Sequence, residues 1–341
     1  MKEIRRFERS PKDLAAFHSF KDFEQAPPLT FAIEGFLQNN AATLIGGLSG
    51  HGKTLILLSM VRALFSKPGT KLWGHFRVNE QASRVIYLTP ESDIAPFKHR
   101  LKQFGLYHYV RDGFLLVRTL SKGPAPKLDD KALLRVAAHS HVFLDTAIRF
   151  GEGEENLASD NQQGLATHIF GLLSAGAKTV VGAHHAPKSF ANQNVMTLEN
   201  ILRGSGDIGG MVATAWGVRQ LDKQRNVLHI ENVKPRDFQP CGPFQIIGKP
   251  YIDQDGDFRM HKKPGDCGTL AQELGSNGRT AGKRSKGMNK GIERVIQLID
   301  IHGEEITDKF IVKKFKAKGW GNLAESTARK YRKLAIQQHK S

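Results

Sequence analysis

Cysteine is nearly absent: Cys241 and Cys267 are the only two in 341 residues. They have neither the density of a disulfide framework nor the spacing of metal ligands, so a reducing, cytoplasmic setting is expected, with both thiols incidental. Long apolar runs are missing too. No uncharged stretch approaches the ~20 residues that span a bilayer. The first fourteen residues carry Lys2, Glu3, Arg5, Arg6, Glu8, Arg9, Lys12 and Asp13 in place of the apolar segment of a secretory leader. Acid is scarce as well, because 33 Asp and Glu face 50 Lys and Arg and leave a net charge of +17. What remains, 40% apolar with 24% charged, is a globular composition able to bury a substantial core.

The distribution of the charge is more informative than its size. Residues 259 to 341 supply +11 of the +17, a concentration that points to nucleic acid, since neutralising phosphates releases counterions without needing a sequence code. From 261 to 289 the chain is rich in Gly, Lys, Ser, Thr and Asn, which predicts a flexible basic linker. Residues 290–341 then show three apolar helical faces, on Ile292, Val295, Ile296 and Ile299, on Phe310, Ile311 and Phe315, and on Ala328, Tyr331, Leu334 and Ala335. Three short helices in about fifty residues suit a helix-turn-helix or winged-helix module. Its last helix carries Arg329, Lys330, Arg332 and Lys333 outside the apolar stripe, as candidate DNA contacts.

The richest local signal is Gly47-Leu48-Ser49-Gly50-His51-Gly52-Lys53-Thr54, the full G-x-x-x-x-G-K-[ST] pattern, with Leu55 opening the next apolar run. Ala42 to Ile45 before it read as a buried strand and Leu55 to Val61 after it as a helix, the context a phosphate-binding loop requires. Glycines let several backbone N–H groups converge on one anion, and the helix adds its positive end. Lys53 is expected to reach the β- and γ-phosphates of ATP, and Thr54 to ligate Mg²⁺.

Downstream, strand-like runs at Arg84–Leu88, Phe114–Val117, His141–Leu144 and Thr179–Gly182 alternate with helical patterns at Ile94–Phe104, Asp129–Ala138 and Asn161–Ala175. Such alternation predicts an α/β fold with a mainly parallel sheet covered on both faces. Ala215–Leu221 and Val227–Val233 then flank a polar turn, predicting a hairpin, and short strands are expected at Phe244–Ile247 and Phe258–Met260. Val142-Phe143-Leu144-Asp145 is an apolar strand ending in a carboxylate, so Asp145 is expected to hold Mg²⁺ through water. Val85-Ile86-Tyr87-Leu88-Thr89-Pro90-Glu91 ends in a second carboxylate at the sheet edge where ligands bind, making Glu91 the candidate base for an attacking water. Glu152, Glu154 and Glu155 compete for that role.

In order, Pro27-Pro28 before Ile33-Glu34-Gly35-Phe36-Leu37, the Gly47–Thr54 loop, Thr89-Pro90-Glu91, Asp145-Thr146-Ala147-Ile148-Arg149-Phe150, His184-His185-Ala186-Pro187-Lys188 and Arg203-Gly204-Ser205 resemble RecA-like ATPases. The pattern is most similar to plasmid and phage RepA-like replicative helicases, within the DnaB-like superfamily, over residues 25 to 250. The resemblance implies a RecA-like P-loop core over 1–260 with a short N-terminal arm. It makes Glu91 the catalytic glutamate and the end of the His184-His185 strand a sensor of the γ-phosphate. Neighbouring strand residues point oppositely, so one histidine faces the nucleotide, and His185 is favoured. Lys234-Pro235-Arg236 resembles the K-x-R element of such rings, implying that Lys234 and Arg236 enter a neighbouring subunit's site and stabilise transferred charge. Lys188 and Arg203 fall on the loop implied to meet single-stranded DNA in a hexamer's channel. No primase-interacting N-terminal domain is recognisable, and the basic C-terminal module lies outside the shared core. The expected activity is that of an ATP-driven, ring-forming DNA motor, a replicative-type helicase of a plasmid, phage or mobile element. The alternative is an ATP-switched DNA-binding regulator or loader.

Overall fold

The computed structural model describes residues 17–151, 158–202, 206–248, 257–280, 286–303, 305–320 and 323–339. The chain divides into two compact units, Met1–Ala271 and Gln272–Ser341.

The first unit is built on nine strands: β1 Ala41–Gly47, β2 Val85–Thr89, β3 Leu115–Thr119, β4 His141–Leu144, β5 Thr179–His185, β6 Thr214–Asp222, β7 Val227–Pro235, β8 Phe244–Gly248 and β9 Phe258–Lys262. Their spatial order is β9-β8-β7-β6-β1-β5-β4-β2-β3. From β6 to β3 every pairing is parallel, and β7, β8 and β9 add an antiparallel extension. The parallel strands β1, β2 and β4 are buried along their whole length, which requires the continuous apolar runs seen in their sequences. The crossovers between them carry α1 Lys53–Leu64, α2 Ile94–Gln103, α3 Tyr107–Arg111, α4 Lys131–Ala137 and α5 Ala158–Ser174. Beyond β5 come the short helices α6 Leu198–Ile201 and α7 Gly206–Met211.

Side chains alternate across each strand. Ile45, Val85, Tyr87, Phe143, Val181 and Ala183 share one core cluster with Ile56, Leu57 and Met60 of α1, so these strand positions define the α1 face of the sheet. The antiparallel extension is tied in by aromatic packing. Phe244 of β8 lies 5.1 Å from Phe76, 5.9 Å from Trp73, 6.0 Å from Trp216 and 6.5 Å from Phe36, ring centre to ring centre. Among the described residues no helix is long and apolar enough to cross a membrane.

The stretch 261–289, expected as a flexible linker, departs from that reading. β9 runs to Lys262, Leu270–Thr280 forms α8, and α9 begins at Lys286. The start of this segment is held by buried and hydrogen-bonded residues. Leu270 is fully buried and its N–H donates to Glu231 Oε1. Cys267 Sγ lies 3.6 Å from His229 Nδ1, whose Nε2 lies 2.7 Å from Glu231 Oε1. Cys267 is thus a buried packing partner of β7. The unit boundary falls after Ala271, eleven residues beyond the expected 260.

The second unit packs α9 Lys286–His302, α10 Asp308–Ala317 and α11 Glu325–His339 around Val295, Leu298, Ile299, Ile306, Ile311, Phe315, Ala328 and Ala335. These include core positions from each of the three predicted faces. The side chains of Ile292 and Leu334 lie outside the described residues.

Candidate nucleotide site

The loop between β1 and α1 takes its shape from its glycines. Gly50 and Gly52 have φ of +78° and +79°, where a Cβ would strain the backbone. Gly47 is needed for a different reason, since a Cβ there would stand 2.6 Å from Val218 O on β6. Lys53, the first residue of α1, is buried and curls back to donate to Gly47 O and Leu48 O, both at 2.8 Å. Its ammonium therefore sits within the loop's own curve. Burial pulls its pKa down to about 8, with Asp145 and Glu91 opposing the shift.

Three strand ends converge beside it. Asp145 follows β4 on the same face as Phe143, is buried, and accepts from Tyr87 Oη at 2.9 Å. Burial raises its pKa, while hydrogen bonds from Tyr87 and from Thr54 work against the rise. Thr54 and Asp145 are thereby paired, a hydroxyl and a carboxylate adjacent to the loop. The Asp145–Thr146 peptide is cis. Glu91, just beyond β2, accepts from Thr146 Oγ1 at 3.2 Å and from Arg149 Nε at 2.6 Å. The structure thus brings Lys53, Thr54, Asp145 and Glu91 into one cluster. The competing Glu152, Glu154 and Glu155 lie outside the described residues.

At the end of β5, Gly46 pairs with His184 and Gly47 with His185. Val181 and Ala183 belong to the α1 face, so alternation puts His185 on that face and His184 on the opposite one, where it is fully buried. His51 accepts from the Gln220 backbone N–H at 3.2 Å. Its pKa falls to about 4, first through burial and then through Arg219 and Lys53, so the ring is neutral at pH 7.

Lys234 and Arg236 stand elsewhere. Lys234 Nζ donates to Gly209 O and, at 3.1 Å, to Gly210 O, which also receives Arg236 Nη2 at 2.7 Å. Pro235 pairs with Thr214, which pairs with Thr43, four residues before Gly47 along β1. The two cations therefore lie toward the opposite end of the sheet from their own loop, offset from Gly47 by roughly 10–13 Å along the strands at about 3.3 Å per residue and two strands across.

Lys188 opens the turn Lys188–Asn192 and is exposed, and Arg203 lies outside the described residues. In the second unit, the candidate DNA contacts Arg329 and Arg332 both pair with Asp308 within the module. An acid 21 positions before Arg329 takes up both guanidinium groups. Lys333 is exposed, and the side chain of Lys330 lies outside the described residues.

Sequence reading missed Tyr87, Arg149 and Arg219. Tyr87 was visible as a polar-tipped residue inside an apolar strand. Arg149 and Arg219 carried no local signal, because their partners are Glu91 and the carbonyls of Phe190 and Ala191. The Arg219 guanidinium also lies 5.1 Å from the Phe190 ring centre, tying β6 to the turn after β5.

A family model described as an AAA domain matches residues 8–191, more than half of the chain. No curated protein matches the sequence. Among solved structures, a DnaB-like replicative helicase, described together with its interactions with primase, matches with a TM-score of 0.50 at 12% identity. The match covers 70% of this chain and 66% of that one, so the chain spans just under two thirds of the helicase's length. At that identity the likeness is one of fold.

Proposed function

The chain belongs to the AAA domain family, and from that premise we propose that it is an ATP-hydrolysing, ring-forming DNA motor, a replicative-type helicase of a plasmid, phage or mobile element. The fold is that of RecA-like P-loop ATPases related to DnaB-like helicases. One observation carries the reading: a buried lysine inside a phosphate-binding loop, a buried carboxylate bonded to the loop threonine, and a second carboxylate beside both.

Mg²⁺–ATP fits this donor set. Asp145 is a buried carboxylate whose charge is disfavoured by desolvation, as a site suited to a cation would be, and Thr54 supplies the neighbouring oxygen. Bound, the nucleotide and its metal supply a transferable γ-phosphoryl group and a cation that neutralises developing charge. Lys53 holds the β- and γ-phosphates, and the backbone from Gly47 to Leu55 cradles them. Glu91 polarises water and takes its proton at the carboxylate, while Arg149 and Thr146 hold that carboxylate in place. His185, on the α1 face, reads the γ-phosphate. Lys234 and Arg236 act in the neighbouring subunit's site, which their distance from their own loop supports. The ring is a hexamer with single-stranded DNA in its channel, met by Lys188 and Arg203, and the second unit grips DNA.

The second reading, an ATP-switched DNA-binding regulator or loader, is favoured by the separate helical module. Strand displacement on forked DNA separates the two, run beside ATP hydrolysis with and without single strands. A motor unwinds the fork with ATP, hydrolyses faster on single strands, and loses both with Lys53→Ala. ATP-dependent DNA binding without unwinding by the intact chain would favour the regulator.

A further inference from the structure

The cations of the second unit are not equivalent. Arg329 Nε donates to Asp308 Oδ2 at 3.0 Å, and Arg332 lies 3.4 Å from Asp308 Oδ1 while donating to Ile306 O at 2.5 Å. Both arginines thereby join α11 to the start of α10. Lys314 lies over the Phe310 ring at 5.3 Å and Lys318 over Trp320 at 5.2 Å. Lys309, Lys313 and Lys316 differ: all are exposed, and none has an ion-pair or hydrogen-bond partner among the described residues.

Their spacing makes them one surface. Positions four and three apart on a helix fall, at about 100° per residue, within a stripe of roughly 60° extending some 10 Å along the axis. Ile311 and Phe315 occupy the opposite side in the core, and Phe310 and Val312 pack against it. The one acid on α10, Asp308, is neutralised by the two arginines. The outer face is therefore cationic and carries little apolar area.

We propose that the Lys309-Lys313-Lys316 row is the module's phosphate-binding face and seats the backbone of duplex DNA. The proposal rests on the reading that the second unit binds DNA, and it names the surface. An interface with protein needs an apolar centre, which this face lacks, whereas backbone contacts need only placed charge. In a helix-turn-helix pair the first helix crosses the backbone and the second turns its N-terminal residues to the groove. α10 and α11 follow one another in that order.

The test uses the full chain and a labelled DNA duplex, with affinity measured across salt concentrations for wild type, K309A/K313A/K316A and R329A/R332A. Losing three phosphate contacts should reduce the salt slope by about 2.7, at about 0.9 per contact. The lysine variant should unfold like wild type, because all three positions are exposed and alanine favours helix. R329A/R332A should instead loosen the module. Lysine acetylation with and without duplex should show Lys309, Lys313 and Lys316 protected. Protection elsewhere in 286–339 with an unchanged slope in the lysine variant would overturn this face and leave DNA binding by the module standing. No protection anywhere in 286–339 would overturn both.

Discussion

Burial holds the pKa of Lys53 at about 8, and negatively charged phosphates beside it would push that value up again. The free enzyme therefore has to take up a proton when it binds ATP above pH 8. The sign follows: affinity is fully present below about pH 8 and falls as pH rises through it, by up to about tenfold per pH unit. Calorimetry in buffers of different ionisation enthalpy should detect proton uptake near pH 9 and little from this group at pH 7. Equal affinity at pH 7 and 9.5 would show that no Lys53 proton is linked to ATP binding in that range. Glu91 makes a separate demand. Glu91→Gln keeps the shape and the hydrogen bond with Thr146 but cannot accept a proton, so ATP should bind normally while turnover falls by about 10²- to 10⁴-fold. Single-turnover hydrolysis measures this. Normal turnover in Glu91→Gln alongside a dead Glu152→Gln would transfer the role to Glu152.

At the level of elements, the parallel strands were legible because burial on both faces demands continuous apolar runs, and the loop at Gly47 to Thr54 because its chemistry fixes its spelling. α8 was not legible. Its sequence is polar and glycine-bearing, and its start is held by Leu270 bonding to Glu231 on a strand 39 positions earlier. The same reason hid the Arg149 pairing with Glu91 and the arginine contacts of Asp308: no local periodicity encodes a partner brought close by strand order or helix packing. Aromatic residues show the converse, since Phe244 joins the antiparallel extension to the core through four other rings. Phe244→Ala should destabilise the first unit by about 3–5 kcal/mol in denaturant titration. Phe114→Ala, at 51% exposure, should change it by about 0.5 kcal/mol or less. Similar losses for the two would mean that the extension does not fold cooperatively with the sheet.

For the whole molecule, the question is whether Lys234 and Arg236 serve their own chain or another. Lys234 and Arg236 lie at the end of β7 that pairs through Thr214 to Thr43, at the far edge from Gly47, and a side chain cannot bridge that distance to its own loop. Either they are structural, bonding the Gly209 and Gly210 carbonyls, or they serve another subunit. The two roles separate by measurement. Under the inter-subunit role Arg236→Ala should bind ATP with unchanged affinity, since its own site is intact, and should hydrolyse it about 10³-fold or more slowly through loss of a transition-state cation. Lys53→Ala should fail for the opposite reason, with an intact finger and a defective loop. Mixed in one ring, the two variants create some interfaces pairing the intact loop of one subunit with the intact Arg236 of the next, so activity should return at intermediate ratios although each variant alone is inactive. The return should follow the statistics of such interfaces, reaching its maximum near equal proportions. If native mass spectrometry shows that the subunits have mixed and activity still fails to return at any ratio, Arg236 belongs to the structural role, and the assignment of a shared site between subunits falls with it.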